Sequence, residues 1–530
     1  MGIFRTHLKT NTMNTTRLLL SLTVCLLMAT ACTKEDTAET QEWPGADYPD
    51  PGKEENAKRI MLATDIHVMA KELLISGGEA FDNYKKRDPK LLEYSEEVLQ
   101  TLVDKALETR PDLVIFPGDL TKDGELLSHQ KVASLLAPLY DEGIPVVVVP
   151  GNHDIENPNG KYFNGSETSP AERTSPETFT SIYRNYGYGN AIEHDATSLS
   201  YVTEPLEGLV LLCIDTNRYD ENLYKEKGDE RDMNQTAGRI RQSTLEWLCE
   251  QADKAREQGK QVVVVQHHNM VPHHDAEPTI QSDYLIEDHK EVAEKLMAHG
   301  IHLALTGHLH LHDVAQLRTR HDGRIDSLVD IATSSAVSYP NAYRMITASN
   351  NFTKWRVETE YVTSTASIDD IQQKSKQMLQ DNIFSGLEAS VNEVWDRVDS
   401  YRGMLEKYNL PPKLLPDNAN ELTALLKKYI GKELLEAYLI HSEGNEANNP
   451  RSAELQEELK SGTLKMLRQR LTDIGMTEKE TDTKMLLLSI AYNMYLEPML
   501  RGILSDVNQA DENGLSSVTD DLNPTLLLPH

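Results

Sequence analysis

An α/β layered fold followed by an all-helical region is predicted by three features of this sequence. Short β-rich apolar runs recur between residues 59 and 305, helical patterns alternate with them, and from about Ser367 amphipathic helices follow one another. Alternating strands and helices imply largely parallel central strands with helices on the sheet faces. At 530 residues the chain exceeds one typical domain and can bury a sizeable core.

The first 31 residues read as a targeting segment. Arg5, Lys9 and Arg17 are basic, no acid precedes Glu35, and the apolar run Leu18–Ala31 is short for a spanning helix. The run ends Ala29-Thr30-Ala31-Cys32, small residues before a cysteine that resemble a bacterial lipoprotein processing site, although Ala29 replaces the usual leucine. A plain secretory signal is the alternative. If Cys32 is acylated, the mature protein is a membrane-anchored lipoprotein of the cell envelope, outside the cytoplasm. Residues 32–57, polar and acidic with Pro44, Pro49 and Pro51, read as a flexible linker.

The region 58–365 carries the alternation. Predicted strands are Ile60–Thr64, Leu113–Phe116, Val146–Val149, Leu209–Ile214, Val262–Val265 and Ile301–Leu305. Predicted helices are Leu91–Glu108, Leu126–Glu142, Leu245–Glu257 and Lys290–His299, with edge strands at Tyr343–Thr347 and Lys354–Thr363. Asn157–Ala196, rich in Asn, Gly, Ser, Pro and Tyr, reads as a long insertion. Residues 366–530 read as a helical C-terminal module with helices at Glu421–Ile430, Lys432–Ile440, Ala453–Asp473 and Thr483–Ile503, ending in a loose tail, Asp520–His530.

The formal net charge of −31 leaves no basic footprint for nucleic acid, so no long nucleic acid is expected as a partner. Of four cysteines, Cys25 leaves with the expected signal and Cys32 would be the acylated anchor, while Cys213 and Cys249 are expected as buried free thiols rather than a disulfide pair. No CxxC or Cys/His zinc spacing occurs.

Five motifs each follow an apolar strand: Asp65-Ile66-His67, Gly118-Asp119, Gly151-Asn152-His153-Asp154, His267-His268 and Gly307-His308-Leu309-His310. Open α/β sheets bind ligands beyond the carboxyl ends of their strands, where all five fall. Residues two apart on an extended chain point the same way, so Asp65 and His67 can reach one ion. Ionised Asp, neutral His and an Asn carbonyl suit Mn, Fe or Zn better than Ca.

The set DxH, GD, GNHD, HH and GHxH resembles the calcineurin-like metallophosphoesterase superfamily over about residues 59–363. The resemblance implies a layered metallophosphoesterase fold with central β-sheets flanked by helices, and two metal ions. It implies Asp65, His67 and His310 on the first ion, Asn152, His267 and His308 on the second, and Asp119 bridging both. A hydroxide between the metals would attack phosphorus in line. His153 resembles the family histidine that protonates or stabilises the leaving oxygen. Asp154 either orients His153 or caps the turn.

Many members read GDxxD, where the second acid supports the catalytic histidine; here Asp123 stands one place late. Either member of the pair His267-His268 is a potential ligand, and the family favours the first. His273 and His274 are expected as exposed loop residues, and His129 and His312 as polar helix or loop residues. Arg344 either grips phosphate or makes a structural salt bridge. Tyr162, Tyr183, Tyr186 and Tyr188 either wall the site or pack the insertion. The function expected is hydrolysis of a phosphomonoester or phosphodiester in a small phosphorylated substrate. The alternative is a non-catalytic metal-containing binding or assembly lipoprotein that works through its helical module.

Overall fold

The computed structural model describes residues 51–529 apart from 87, 275–276, 322–323, 445, 447–448, 506–514 and 518–520. The expected signal segment, Cys32 and most of the expected linker lie outside the described residues.

Two sheets form the body. The first has six strands in the order Thr525–Leu527, Lys354–Tyr361, Ala342–Ala348, Lys58–Leu62, Leu113–Pro117 and Val146–Val149. The second has eight: Leu515–Ser517, Asp313–His321, Arg324–Ala332, Leu303–Thr306, Gln261–Gln266, Leu209–Ile214, Tyr201–Leu206 and Glu193–His194. Central strands pair in parallel, Lys58–Leu62 with Leu113–Pro117 and Val146–Val149, and Leu209–Ile214 with Gln261–Gln266 and Leu303–Thr306. Antiparallel strands close the other edges, while Val146–Val149 ends the first sheet in parallel pairing.

Strand alternation explains the continuous apolar runs. Leu209, Leu211 and Cys213 join the core shared with the first sheet, while Val210, Leu212 and Ile214 face the helices Gln242–Glu257 and His289–Ala298. Strands buried on both faces carry no polar alternation. The helices Ser95–Thr109 and Leu126–Asp141 cover the first sheet. Cys213 and Cys249 are buried free thiols.

Several expectations change. Asn157–Ala196 is structured: it holds the strands Lys161–Asn164 and Glu167–Pro170, the helix Pro176–Ile182 and part of the second sheet's edge. The segments Glu421–Ile430 and Lys432–Ile440 are one helix, Ala419–Glu443, because a single interior glycine costs only about 1 kcal/mol. The tail is not loose. Thr525–Leu527 pairs with the Lys354–Tyr361 strand, and Leu515–Ser517 pairs with Asp313–His321. Leu526, Leu528 and Asp521 are buried. The helices from Ile371 to Ser505 are therefore inserted before two terminal edge strands, rather than filling residues 366–530. Among the described residues no helix is long and apolar enough to cross a membrane.

Candidate metal centre

The five motifs converge beyond the ends of their strands. The extended geometry expected for Asp65 and His67 is not what aims them. Asp65, His67, Asp119, His308 and His310 all have left-handed backbone, with φ of 52°, 44°, 48°, 65° and 58°. Such conformations are uncommon outside glycine and gather at functional sites, where the surroundings hold them. Here they are held by hydrogen bonds: the Asp65 amide donates to the Gly118 carbonyl at 3.2 Å and the His67 amide to the Asp119 carbonyl at 3.0 Å. Ser335 Oγ donates to the Asp65 carbonyl at 2.7 Å. The motif glycines leave room. A Cβ on Gly118 would press on His267, one on Gly151 on Asp119, and one on Gly307 on Asp65.

Three overlapping groups can hold a cation: Asp65, His67 and His310; His67, Asp119 and His153; Asp119, His267 and His308. Asp65 Oδ1 lies 3.0 Å from His310 Nε2 and 3.7 Å from His67 Nε2. The Nε2 atoms of His67 and His310 are 3.2 Å apart. Asp119 Oδ2 stands between the outer groups, 3.7 Å from His67 Nε2 and 3.3 Å from His267 Nε2. Asn152 Oδ1 is 3.0 Å from the same His267 nitrogen. Burial, with the Lys90 charge second, pushes His67 down to about 3, so its ring is neutral and offers lone pairs. Imidazole nitrogens, two buried carboxylates and an amide oxygen crowding one space fit intermediate divalent cations.

His267, not His268, belongs to the cluster. His267 Nδ1 lies 2.9 Å from the Pro117 carbonyl, the contact that fixes its tautomer and leaves Nε2 as a ligand. Both His268 nitrogens are spent, Nδ1 on Thr216 Oγ1 at 2.7 Å and Nε2 on the Thr236 carbonyl at 3.0 Å.

His153 and His310 form the open side of the site, with side chains 23% and 20% exposed against 0–2% for Asp65, His67, Asp119 and His267. His153 Nδ1 lies 2.6 Å from the Lys122 carbonyl and 3.1 Å from Asp123 Oδ1, which leaves Nε2 for substrate. Burial opposes the charged ring, but Asp119 and Asp123 outweigh it and raise the imidazole above its ordinary value. Asp123 thus occupies the orienting position that the sequence offered to Asp154. Asp154 instead takes the amides of Gly151, Leu120 and Thr121 at 2.8, 3.1 and 2.9 Å and the Thr121 hydroxyl at 2.8 Å, so it closes the turn.

A buried set that the sequence did not single out supports Asp123. Lys122 lies against Asp123 and Glu125 with its ammonium over the Tyr84 and Phe163 rings. Tyr84 Oη donates to Asp123 at 3.3 Å.

Other sequence candidates are structural. His273 and His274, expected as exposed, are buried. His273 Nδ1 lies 2.6 Å from Asp313; burial opposes its charge, yet Asp313 and Asp330 raise it to about 10. His129 and His312 are also buried, His129 against the Tyr183 hydroxyl at 2.8 Å. Arg344 does not reach for phosphate. It is fully buried and donates to the carbonyls of Asp521, Ala332 and Asp313 at 2.6, 2.9 and 3.3 Å. Tyr183, Tyr186 and Tyr188 pack the insertion, with Tyr186 Oη donating to the Ala133 carbonyl at 2.8 Å and the Tyr188 and Tyr201 rings 4.4 Å apart. Tyr162 packs with Phe81 and Phe163.

Fold and side-chain set define a metallophosphoesterase. Residues 58–312 match the calcineurin-like phosphoesterase family. Comparison with curated proteins finds no match. Among solved structures the chain is similar to a dimetal phosphatase from Danio rerio, at 14% identity over 57% of this chain and 95% of that one, with a TM-score of 0.38. It is also similar to phosphopantetheinyl hydrolase from Mycobacterium tuberculosis, at 13% identity over 52% and 89%, with a TM-score of 0.23.

Proposed function

We propose that the protein hydrolyses phosphoesters with the help of two metal ions, one held by Asp65, His67 and His310 and the other by Asn152, His267 and His308. The observation that carries this reading is the place of Asp119, whose Oδ2 lies between His67 and His267 and is suited to bridging. When bound, such ions neutralise phosphate charge and supply an activated water near neutral pH. The chain's residues do the rest. Asp65 and Asp119 hold the charge of the centre, and their buried, hydrogen-bonded carboxylates exclude bulk water from its floor. His153, held at Nδ1 by the Lys122 carbonyl and Asp123, presents Nε2 as the donor to the leaving oxygen. Its raised pKa keeps the proton available near neutrality. Mn, Fe and Zn suit the donors. The substrate in this reading is small and phosphorylated, and the enzyme acts outside the cytoplasm, anchored at Cys32 through the linker.

The test is a panel of phosphomonoesters, cyclic nucleotides and phospholipid diesters, with metal-free, Mn-loaded and Zn-loaded protein. Turnover that depends on metal supports the reading. Full occupancy of both ions without turnover of any ester would overturn it.

A further inference from the structure

Lys122 acts on one nitrogen of His153 by two routes. Its carbonyl accepts the His153 Nδ1–H at 2.6 Å, and its ammonium pairs with Asp123, whose Oδ1 lies 3.1 Å from the same nitrogen. Asp123 is aimed by its other oxygen. Oδ2 takes the Lys122 ammonium and, at 3.3 Å, the Tyr84 hydroxyl, so Oδ1 is left facing His153. Glu125 holds the far side of the pair. Its Oε1 lies 3.4 Å from Lys122 Nζ, and its Oε2 accepts the Asp123 amide at 3.3 Å and the Ser128 hydroxyl at 3.0 Å.

The Lys122 side chain is fully buried. The rings of Tyr84 and Phe163 lie 4.4 and 5.5 Å from its ammonium. Both come from outside the sheets that carry the metal motifs, Tyr84 from the helix Glu79–Lys85 and Phe163 from the strand Lys161–Asn164 of a separate three-stranded sheet. A charge enclosed in this way is weak evidence of stability, because well-packed apolar side chains of similar volume often serve as well. Its two ionic partners are Asp123, which holds His153, and Glu125, which holds the Asp123 amide. The buried charge is therefore directed at the aim of one ring.

We infer that Lys122 is a positioning residue for His153: through its carbonyl and through Asp123 it holds Nδ1–H, so that the proton for the leaving oxygen stands on Nε2. This rests on the phosphoesterase reading above. In that reaction a hydroxide oxygen bonds to phosphorus and the bond to the ester oxygen breaks. The ester oxygen leaves with the electron pair and the Nε2 proton. The need for that proton depends on the leaving group. A 4-nitrophenolate is a stable anion near neutral pH, whereas a phenolate is more basic and gains more from protonation. Loss of the aim therefore falls hardest on the phenyl ester. A side chain that only kept the fold intact would lower both reactions alike.

The test uses metal-loaded full-length protein with matched 4-nitrophenyl and phenyl esters, as monoesters and as diesters. Lys122→Met keeps the carbonyl and most of the stem and removes the ammonium. The expected result is a fall of about tenfold or more in the phenyl-to-nitrophenyl ratio of kcat, with KM held within about twofold and metal content unchanged. His153→Ala should show the same signature, and adding Lys122→Met to it should cost less than about twofold more, because residues that act through one proton do not add. Lys122→Met leaves two buried carboxylates without their cation. Lys122→Met combined with Glu125→Gln removes one charge of each sign and should change the ratio in the same way. An unchanged ratio in either folded variant overturns the inference, and so does a loss that adds in full to that of His153→Ala. Failure of both variants to fold would assign the ammonium to stability and overturn it too. Turnover of neither ester by the wild type would instead overturn the phosphoesterase reading, and this inference with it.

Discussion

Gly118 gives the sharpest test of how the centre is built. It sits at φ +89°, and a Cβ there would lie 2.6 Å from His267 Nδ1 and 2.9 Å from the Gly151 backbone. To restore ordinary contact His267 must move by roughly 0.8 Å, whereas metal–ligand distances tolerate about 0.2 Å. The ring cannot swing freely, because the nitrogen that meets the new methyl is the one held 2.9 Å from the Pro117 carbonyl. Gly118→Ala should therefore weaken metal binding by about tenfold or more, and the overpacking should cost about 1–3 kcal/mol of stability. Left-handed strain adds its own cost, and Gly208→Ala controls for it. Gly208 has φ +88°, and its Cβ would meet only Phe352 at an ordinary 3.8 Å. Metal content during chelator titration, read beside thermal melts, separates the two effects. Gly118→Ala should lose both affinity and stability, and Gly208→Ala stability alone. Wild-type metal affinity in Gly118→Ala would refute the placement of His267 among the ligands.

Three further outcomes follow from the same geometry. His153→Ala should keep its metal content and lose turnover by about 10²–10⁴; loss of the ions would contradict its role. Asp123→Asn should lower the His153 pKa, because it removes a charge that raises it, and so shift the corresponding limb of the kcat–pH profile to lower pH; an unmoved limb would refute the pairing. Burial, its first cause, lowers His129 from the ordinary 6.5 to about 4. The stability its neutral ring contributes is therefore present above 6.5 and lost as pH falls through about 4, a change of about 3 kcal/mol. Urea melts of His129→Gln should lose about that much less than wild type on acidification, and equal slopes would refute it.

The metal motifs were legible in the sequence because the chemistry restricts residue types and the strands set their spacing. What decided the finer assignments lies in turns. Asp123 rather than Asp154 meets His153 because Asp154 accepts three amides of adjoining loops, and no one-dimensional pattern records those partners. His273 and His274 read as loop residues, but the helical insert covers them: the His274 ring stands 5.6 Å from that of His441. Lys90, Asp88 and Tyr84 come from a segment without a recognisable motif and meet only through the fold. The hairpin Asp313–His321 with Arg324–Ala332 went unpredicted, although an Asp-Gly pair between two such runs is a hairpin signal. The terminal strands, three residues each, are too short for any periodicity to appear.

Those two short strands change what the helical region is. A module hung on the C-terminus would be free to work alone. Here the chain leaves the first sheet at Tyr361, builds the helices from Ile371 to Ser505, and returns to the edges of both sheets. The return is tied in by charge as well as by pairing, since buried Arg344 donates to the Asp521 carbonyl and to carbonyls of the second sheet at once. The helix Ala419–Glu443 ends at Gly444, at φ +78°, where any Cβ would strike the His312 carbonyl two residues beyond His310. Glu443 meets the Tyr339 hydroxyl, and Lys376 lies 3.7 Å from the same carboxylate. The helical insert thus packs at His312, just beyond the last metal motif. A helical region built in this way supports the hydrolytic centre, which weighs against a protein whose helices alone do the work.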